Sequence, residues 1–187
     1  LSPYFVTNQE TVEGVIEDTF VLLTDKKINY AHEILPFLES FVKAGHKNLV
    51  IFAGEVVEEA LATLVVNKLG GAHFNVVAIQ APAYGDRRLD ELEDIAAFTG
   101  GVVIKEDSGR QMDSVQVEDL GRAVRVIVDR DKTVILEGGG LPEPRIKELK
   151  EQLKVANTDY DKQIKEQRLA KLTGSAAVIK IGAASDV

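Results

Sequence analysis

Cysteine and tryptophan are both absent from the 187 residues, there is a single methionine, and aromatic residues make up only 6% of the chain. Without cysteine there is no disulfide staple, no thiolate nucleophile, and no Cys-ligated zinc or iron–sulfur cluster. Histidine is almost as scarce. His32, His46 and His73 stand far apart and form no His-x-x-x-His pair, so each reads as a surface residue rather than a metal ligand or a general acid. The longest plainly apolar stretches, Phe20–Leu23 and Leu49–Ala53, fall far short of the ~20 residues that a membrane span needs. An excess of basic charge is missing too. Against 22 Lys and Arg there are 30 Asp and Glu, a formal charge of −8 spread along the chain, which argues against a nucleic-acid interface and its basic patch. Leu1-Ser2-Pro3-Tyr4 carries no initiator Met, basic segment or apolar leader, so the chain reads as a piece cut from something longer.

What remains is ample material for a core. With 45% apolar residues, and ~70% of the unfolded surface buried at this size, one domain can fold without staples. Short β-rich runs alternate with helical patterns: Phe20–Thr24, Ile34–Ala44, Leu49–Ala53, Val57–Leu69, Phe74–Ala81, Leu89–Phe98 and Val102–Ile104. This alternation predicts an α/β protein. Ala123–Val128 and Thr133–Leu136 flank the turn-like Asp129-Arg130-Asp131-Lys132 and predict a hairpin, hence a mixed sheet. After Gly138-Gly139-Gly140-Leu141-Pro142 come two charged helical patterns, Pro144–Ala156 and Asp159–Leu172, with i,i+4 pairs such as Glu148–Gln152. A last strand is expected over Ala177–Ile181.

Little catalytic chemistry is visible. Gly138-Gly139-Gly140 precedes Leu-Pro rather than Lys-Ser/Thr, which favours a plain loop over a phosphate cradle. Asp86-Arg87-Arg88 follows a Pro-Ala-Tyr-Gly turn; it could grip an anion, but Asp at a helix N-cap with charges in the first turn explains it as well. Acid pairs such as Glu58–Glu59 and Asp90–Glu91 read as solvated helix faces.

The anomaly lies in two helices that are too apolar. A helix packed on one side needs roughly 100° of apolar arc. On Ile34–Ala44, residues Phe37, Phe41 and Ile34 cluster while Leu38, Val42 and Leu35 widen the arc to roughly 160°. On Val57–Leu69 the apolar positions Val57, Ala60, Leu61, Leu64, Val65, Val66 and Leu69 spread over about 240°. Either another layer covers the surplus, or Leu35 and Leu38, with Leu61, Val65 and Val66, line an open groove between neighbouring helices. Such a groove would bind apolar segments with little sequence demand, because burial is non-directional.

At these residues the chain resembles a known family. Leu1-Ser2-Pro3-Tyr4-Phe5, Asp25-Lys26-Lys27-Ile28, Glu59-Ala60-Leu61-Ala62-Thr63-Leu64-Val65-Val66-Asn67, Ala81-Pro82-Ala83-Tyr84-Gly85-Asp86-Arg87-Arg88, Thr99-Gly100-Gly101 and Ala176-Ala177-Val178-Ile179-Lys180-Ile181-Gly182-Ala183 are similar, in order, to the apical domain of group I chaperonins of the GroEL type. The resemblance implies an α/β fold with a layered, β-sandwich-like core flanked by helices, of the swivelling β/β/α type. It assigns residues 1–176 to the apical domain and residues 177–187 to the beginning of the intermediate domain. It implies capture of non-native polypeptides, and of the mobile loop of a GroES-type co-chaperonin, by Tyr4, Phe5, Leu35, Leu38, Leu61, Val65 and Val66, with Asn67 hydrogen-bonding a bound backbone.

The resemblance implies no cofactor, metal or catalytic residue in this piece. ATP, Mg and K would belong to the full-length parent, a homo-oligomeric ring of seven or two such rings, whereas the fragment alone is expected to be monomeric. Bacterial cytosol is the expected compartment, with mitochondrial matrix and plastid stroma as alternatives; neither nucleic acid nor membrane is an expected partner. Asp186 falls where the family has an acidic contact residue. Some positions depart from the family. Gly70 stands where Arg is common and would pair with the acid at Glu59, Tyr84 stands for Phe, Ala83 for Gly, and the Gly138–Pro144 loop is shorter.

Three readings follow: a client-capturing module, a small α/β enzyme that grips a phosphorylated ligand through Asp86, Arg87 and Arg88, and a scaffold whose apolar surplus is covered by neighbouring domains.

Overall fold

The computed structural model describes residues 13–57 and 74–180. The chain is a layered α/β protein: among the described residues, a mixed seven-stranded sheet carries four helices, and a two-stranded ribbon stands beside it. Its elements are β1 (Gly14–Thr24), β2 (Lys27–Ile28), α1 (Ala31–Lys43), β3 (Asn48–Ala53), β4 (Glu55–Val56), β5 (Asn75–Gln80), α2 (Gly85–Thr99), β6 (Val103–Ile104), β7 (Gly121–Val128), β8 (Lys132–Gly138), α3 (Glu143–Lys154), α4 (Asp159–Thr173) and β9 (Ala176–Lys180). Three single 3-10 turns join β6 to β7.

β1 is the spine. On one side it pairs in parallel with β3, which pairs in parallel with β5; on the other it runs antiparallel to β7 over Gly14–Val21, and β6 takes over in parallel at Leu23 and Thr24. β8 and β9 extend the antiparallel half. The two halves differ as their sequences do. Leu49 to Ala53 of β3 are all buried, as expected of a strand covered on both faces. β7 and β8 alternate, as the hairpin reading requires, and Asp129 Oδ1 closes their turn by accepting from the backbone N–H groups of Asp131 (2.7 Å) and Lys132 (2.8 Å).

The alternation changes phase along one line. In β1, Glu17 and Asp18 are both exposed; in β7, Val124 and Arg125 are; in β8, Glu137 is. Register places Asp18 and Glu137 on either side of Val124, and both hold left-handed φ angles, 46° and 50°. Because the three strands shift together, pairing continues across the line while the buried face changes phase.

α1 follows its pattern. Ile34, Phe37, Leu38 and Phe41 are buried at i, i+3, i+4 and i+7, while Leu35 and Val42 are half-buried at the edges of the stripe. Pro36 sits in the first half of the helix. Phe41 meets Phe20, Phe37 and Phe74 with ring centroids 5.4–6.0 Å apart, and His46 rests against Phe20 and Phe41. α2 starts four residues earlier than its apolar pattern. Tyr84 is the N-cap and Asp86 lies inside the first turn rather than capping it.

Candidate functional site

The described part of the site is the root of two apolar stretches. β2 and β4 form a parallel ribbon of two residues each, pairing Lys27 with Glu55 and Ile28 with Val56. The ribbon is continued by Gly54 N–H donating to Lys26 O (2.9 Å) and Val57 N–H to Ile28 O (3.0 Å). β2 leads within three residues into α1, and β4 leads into the apolar stretch that begins at Val57. The two strands lie about 5 Å apart across the ladder, so the segment that enters α1 and the segment that ends at Val57 leave the ribbon from neighbouring positions. Val57 itself closes the ribbon and is 38% exposed. The Lys27 ammonium and Glu55 carboxylate meet at 2.9 Å across it; their mutual hydrogen bond, then their mutual attraction, raises the lysine's pKa and lowers the glutamate's.

Of the residues expected to capture polypeptide, Leu35 and Leu38 lie in the described chain. Leu35 is half-buried on the flank of α1. Leu38 is inside the core at 0% exposure rather than on the open face expected for it. The physical reason is helical geometry: Leu38 is one turn from Ile34 and next to Phe41 in the same stripe, so it points where they point. Tyr4, Phe5, Leu61, Val65, Val66 and Asn67 lie outside the described residues, as do His73, Gly70, Glu58, Glu59 and Asp186. Beside α1 is a hollow of about 430 Å³ whose walls include Lys26, His32, Glu33, Pro36, Glu106 and Met112.

The Asp86-Arg87-Arg88 motif does not converge on an anion. Arg87 donates to the Tyr160 hydroxyl at 2.9 Å. Arg88 turns the other way, donating from Nε to Ala83 O (3.0 Å) and from Nη1 to Gly54 O (2.9 Å). The Gly138–Gly140 loop is likewise spent on structure. Gly139 N–H donates to Arg122 O (2.8 Å) and Gly140 N–H to Phe98 O (3.0 Å). A Cβ on Gly138 or Gly140 would lie 2.1 Å from a carbonyl oxygen at the end of α2, that of Phe98 or Ala97. Glycine is needed here for close approach, and these two N–H groups are not free to bind phosphate.

One constellation escaped the sequence reading. Asp94, 3% exposed, accepts at Oδ1 from Arg145 Nε (2.8 Å) and Arg168 Nη2 (3.0 Å), and at Oδ2 from Arg168 Nε (2.6 Å). Arg168 is itself 3% exposed. Asp90 and Glu91, expected on a solvated face, join in: Asp90 flanks Arg168 at 3.4 Å and Glu91 pairs with Lys171 at 2.8 Å. Burial pulls both arginines' pKa values down, but the hydrogen bonds and charge of Asp94 outweigh it and leave them raised. This network clamps the α3–α4 hairpin onto α2. The signal was Asp90 and Asp94 at i,i+4 on one helix face; their partners lie more than fifty residues away, where local pattern does not reach.

Among the described residues, no group of three or more His, Asp or Glu side chains converges to hold a metal ion, and no helix is long and apolar enough to cross a membrane. No protein-family model matches the chain.

Proposed function

We propose that the chain is a binding module that captures non-native polypeptides, of the kind that forms the apical domain of a GroEL-type chaperonin. The observation that carries the proposal is the β2–β4 ribbon. It pairs the segment that enters α1, with Leu35 on its flank, with the segment that ends at Val57, the first of seven apolar positions whose sequence pattern exceeds what one packed face can bury. The ordered sequence resemblance supports the same reading. In this account Leu35 with Leu61, Val65, Val66, Tyr4 and Phe5 supply aliphatic and aromatic contact, and Asn67 bonds the backbone of the bound segment. Leu38 stands behind them in the core. Selectivity would be low, since about 25 cal/mol per Å² of apolar burial does not depend on sequence. The mobile loop of a GroES-type co-chaperonin is proposed as a competitor for the same face. ATP, Mg and K, and ring assembly, are proposed for a parent protein only.

The anion-gripping enzyme is less well supported, because Arg87 and Arg88 are engaged with Tyr160 and with two backbone carbonyls. The decisive experiment is fluorescence anisotropy with a labelled, permanently unfolded apolar polypeptide. The wild type binds it, and a Leu61→Ser/Val65→Ser variant, shown to be folded by circular dichroism, binds about a hundredfold more weakly, since two apolar contacts of about 1.5 kcal/mol each are lost. Equal binding by both proteins would refute the assignment of these residues.

A further inference from the structure

Arg88 stands at the joint of three segments. It projects from the first turn of α2, holds the Ala83 carbonyl of the preceding turn and the Gly54 carbonyl between β3 and β4, and its guanidinium carbon lies 5.1 Å from the centroid of the Tyr84 ring. Its remaining nitrogen, Nη2, is enclosed and meets no acceptor among the described residues. Both carbonyls belong to turns with no slack. Gly54 has no room for a side chain, because a Cβ there would lie 2.1 Å from Asp25 O, and its N–H is already committed to Lys26 O. Ala83 holds a left-handed φ of 57°, a conformation that is strained for a residue with a Cβ. The charge of Arg88 is also felt by Lys27 and Glu55, the pair that spans the ribbon.

A parallel ribbon of two residues per strand is marginal by itself, and its one ion pair is exposed on both sides. Something more must fix the angle at which β4 leaves the sheet. We infer that Arg88 is a positioning residue of the capture face: by gripping Gly54 O it sets the direction of β4, and so the point at which the chain leaves the ribbon at Val57, whose N–H bonds Ile28 O three residues before α1. The inference rests on the capture reading. The planar fork of arginine is what the task requires, since one guanidinium must reach two carbonyls in fixed directions; an ammonium supplies charge without that geometry.

The test compares the wild type with Arg88→Lys and Arg88→Gln, and with Lys171→Met as a control that weakens α2 against α4 without touching Gly54. Two quantities are read: amide hydrogen exchange at Gly54 and Val57, and affinity for the labelled unfolded polypeptide. Arg88→Lys is expected to speed exchange at both amides about tenfold and to weaken capture about tenfold, the change that loss of one charge-assisted hydrogen bond produces. Arg88→Gln is expected to do the same. Lys171→Met lowers the melting temperature and leaves both quantities at wild-type values. The inference is overturned if the wild type captures the polypeptide and both Arg88 variants capture it equally well, or if Lys171→Met reproduces their effects. Absence of capture by the wild type overturns the underlying reading instead, and exchange at Gly54 and Val57 then still reports whether Arg88 holds the joint.

Discussion

Helix α2 is held by arginine at both ends, and the two ends are built in opposite ways. Toward its C-terminal half, Arg145 and Arg168 meet a buried carboxylate, Asp94, and both of its oxygens are used. At its N-terminus, Arg88 meets only neutral carbonyls, and one of its nitrogens has no acceptor among the described residues. Charge matched by charge in a buried, fully bonded cluster resists any rearrangement, because breaking it strands a charge. A cation on carbonyls can be released at smaller cost. The first end is a lock on the α3–α4 hairpin; the second is a joint at the root of the proposed capture face.

The comparison is broken most severely at the lock. Asp94→Ala leaves the buried Arg168 with only the exposed Asp90 carboxylate at 3.4 Å as a counter-charge, and chemical denaturation is expected to show a loss of about 3 kcal/mol. The double variant Asp94→Leu/Arg168→Met is expected to recover most of it; a double variant as unstable as the single one would show that the cluster is not a paired-charge lock. At the joint the effect is smaller and opposite in sign. Ala83→Gly removes the left-handed strain and is expected to stabilise by about 1 kcal/mol, partly offset by the extra freedom that glycine gives the unfolded chain. A destabilised Ala83→Gly variant would mean that the Ala83 methyl packs usefully against the Arg88 turn.

A third arginine pair sharpens the contrast by being more exposed. The Arg110 guanidinium, bonded to Asp119, holds that carboxyl below the usual carboxylate range, and the Gln116 backbone N–H assists. A carboxyl with a depressed folded pKa stabilises fully above its unfolded value of about 3.9, and that contribution is lost as pH falls through the folded value. With a third of the Arg110 side chain in solvent, the pair is worth about 1 kcal/mol or less. Asp119→Asn should therefore flatten the acid limb of the stability profile below about pH 4 and lower stability slightly at neutral pH. An unchanged acid limb would assign that limb to other carboxylates.

How much of this was legible depended on the range of each interaction. The order of strands and helices was readable because apolar periodicity is local, and β3, α1, the β7–β8 hairpin and the Gly138 break stand close to where the pattern placed them. The glycine run read correctly as a loop, but its reason, contact with the Phe98 and Ala97 carbonyls, lies forty residues away. Leu38 was misplaced because an apolar arc measured on one helix does not say where the core's centre falls on it. Asp90 and Glu91 read as a solvated helix face; the burial of Asp94 with Arg168 comes from the docking of α4 on α2, which brings together residues seventy-four apart in the sequence. The phase shift was written in β1 as two polar residues in succession, Glu17-Asp18, but in β7 the apolar Val124 hides it, and only register turns the two into a line.

The most direct test of capture is chemical-shift mapping on isotope-labelled protein titrated with the unfolded polypeptide. The account predicts that the shifts centre on the Leu35 flank of α1 and on Val57 at the ribbon, while Arg87, Tyr160 and the Asp94 cluster stay unmoved. Shifts centred on Arg87 and Tyr160, with Leu35 and Val57 silent, would contradict it.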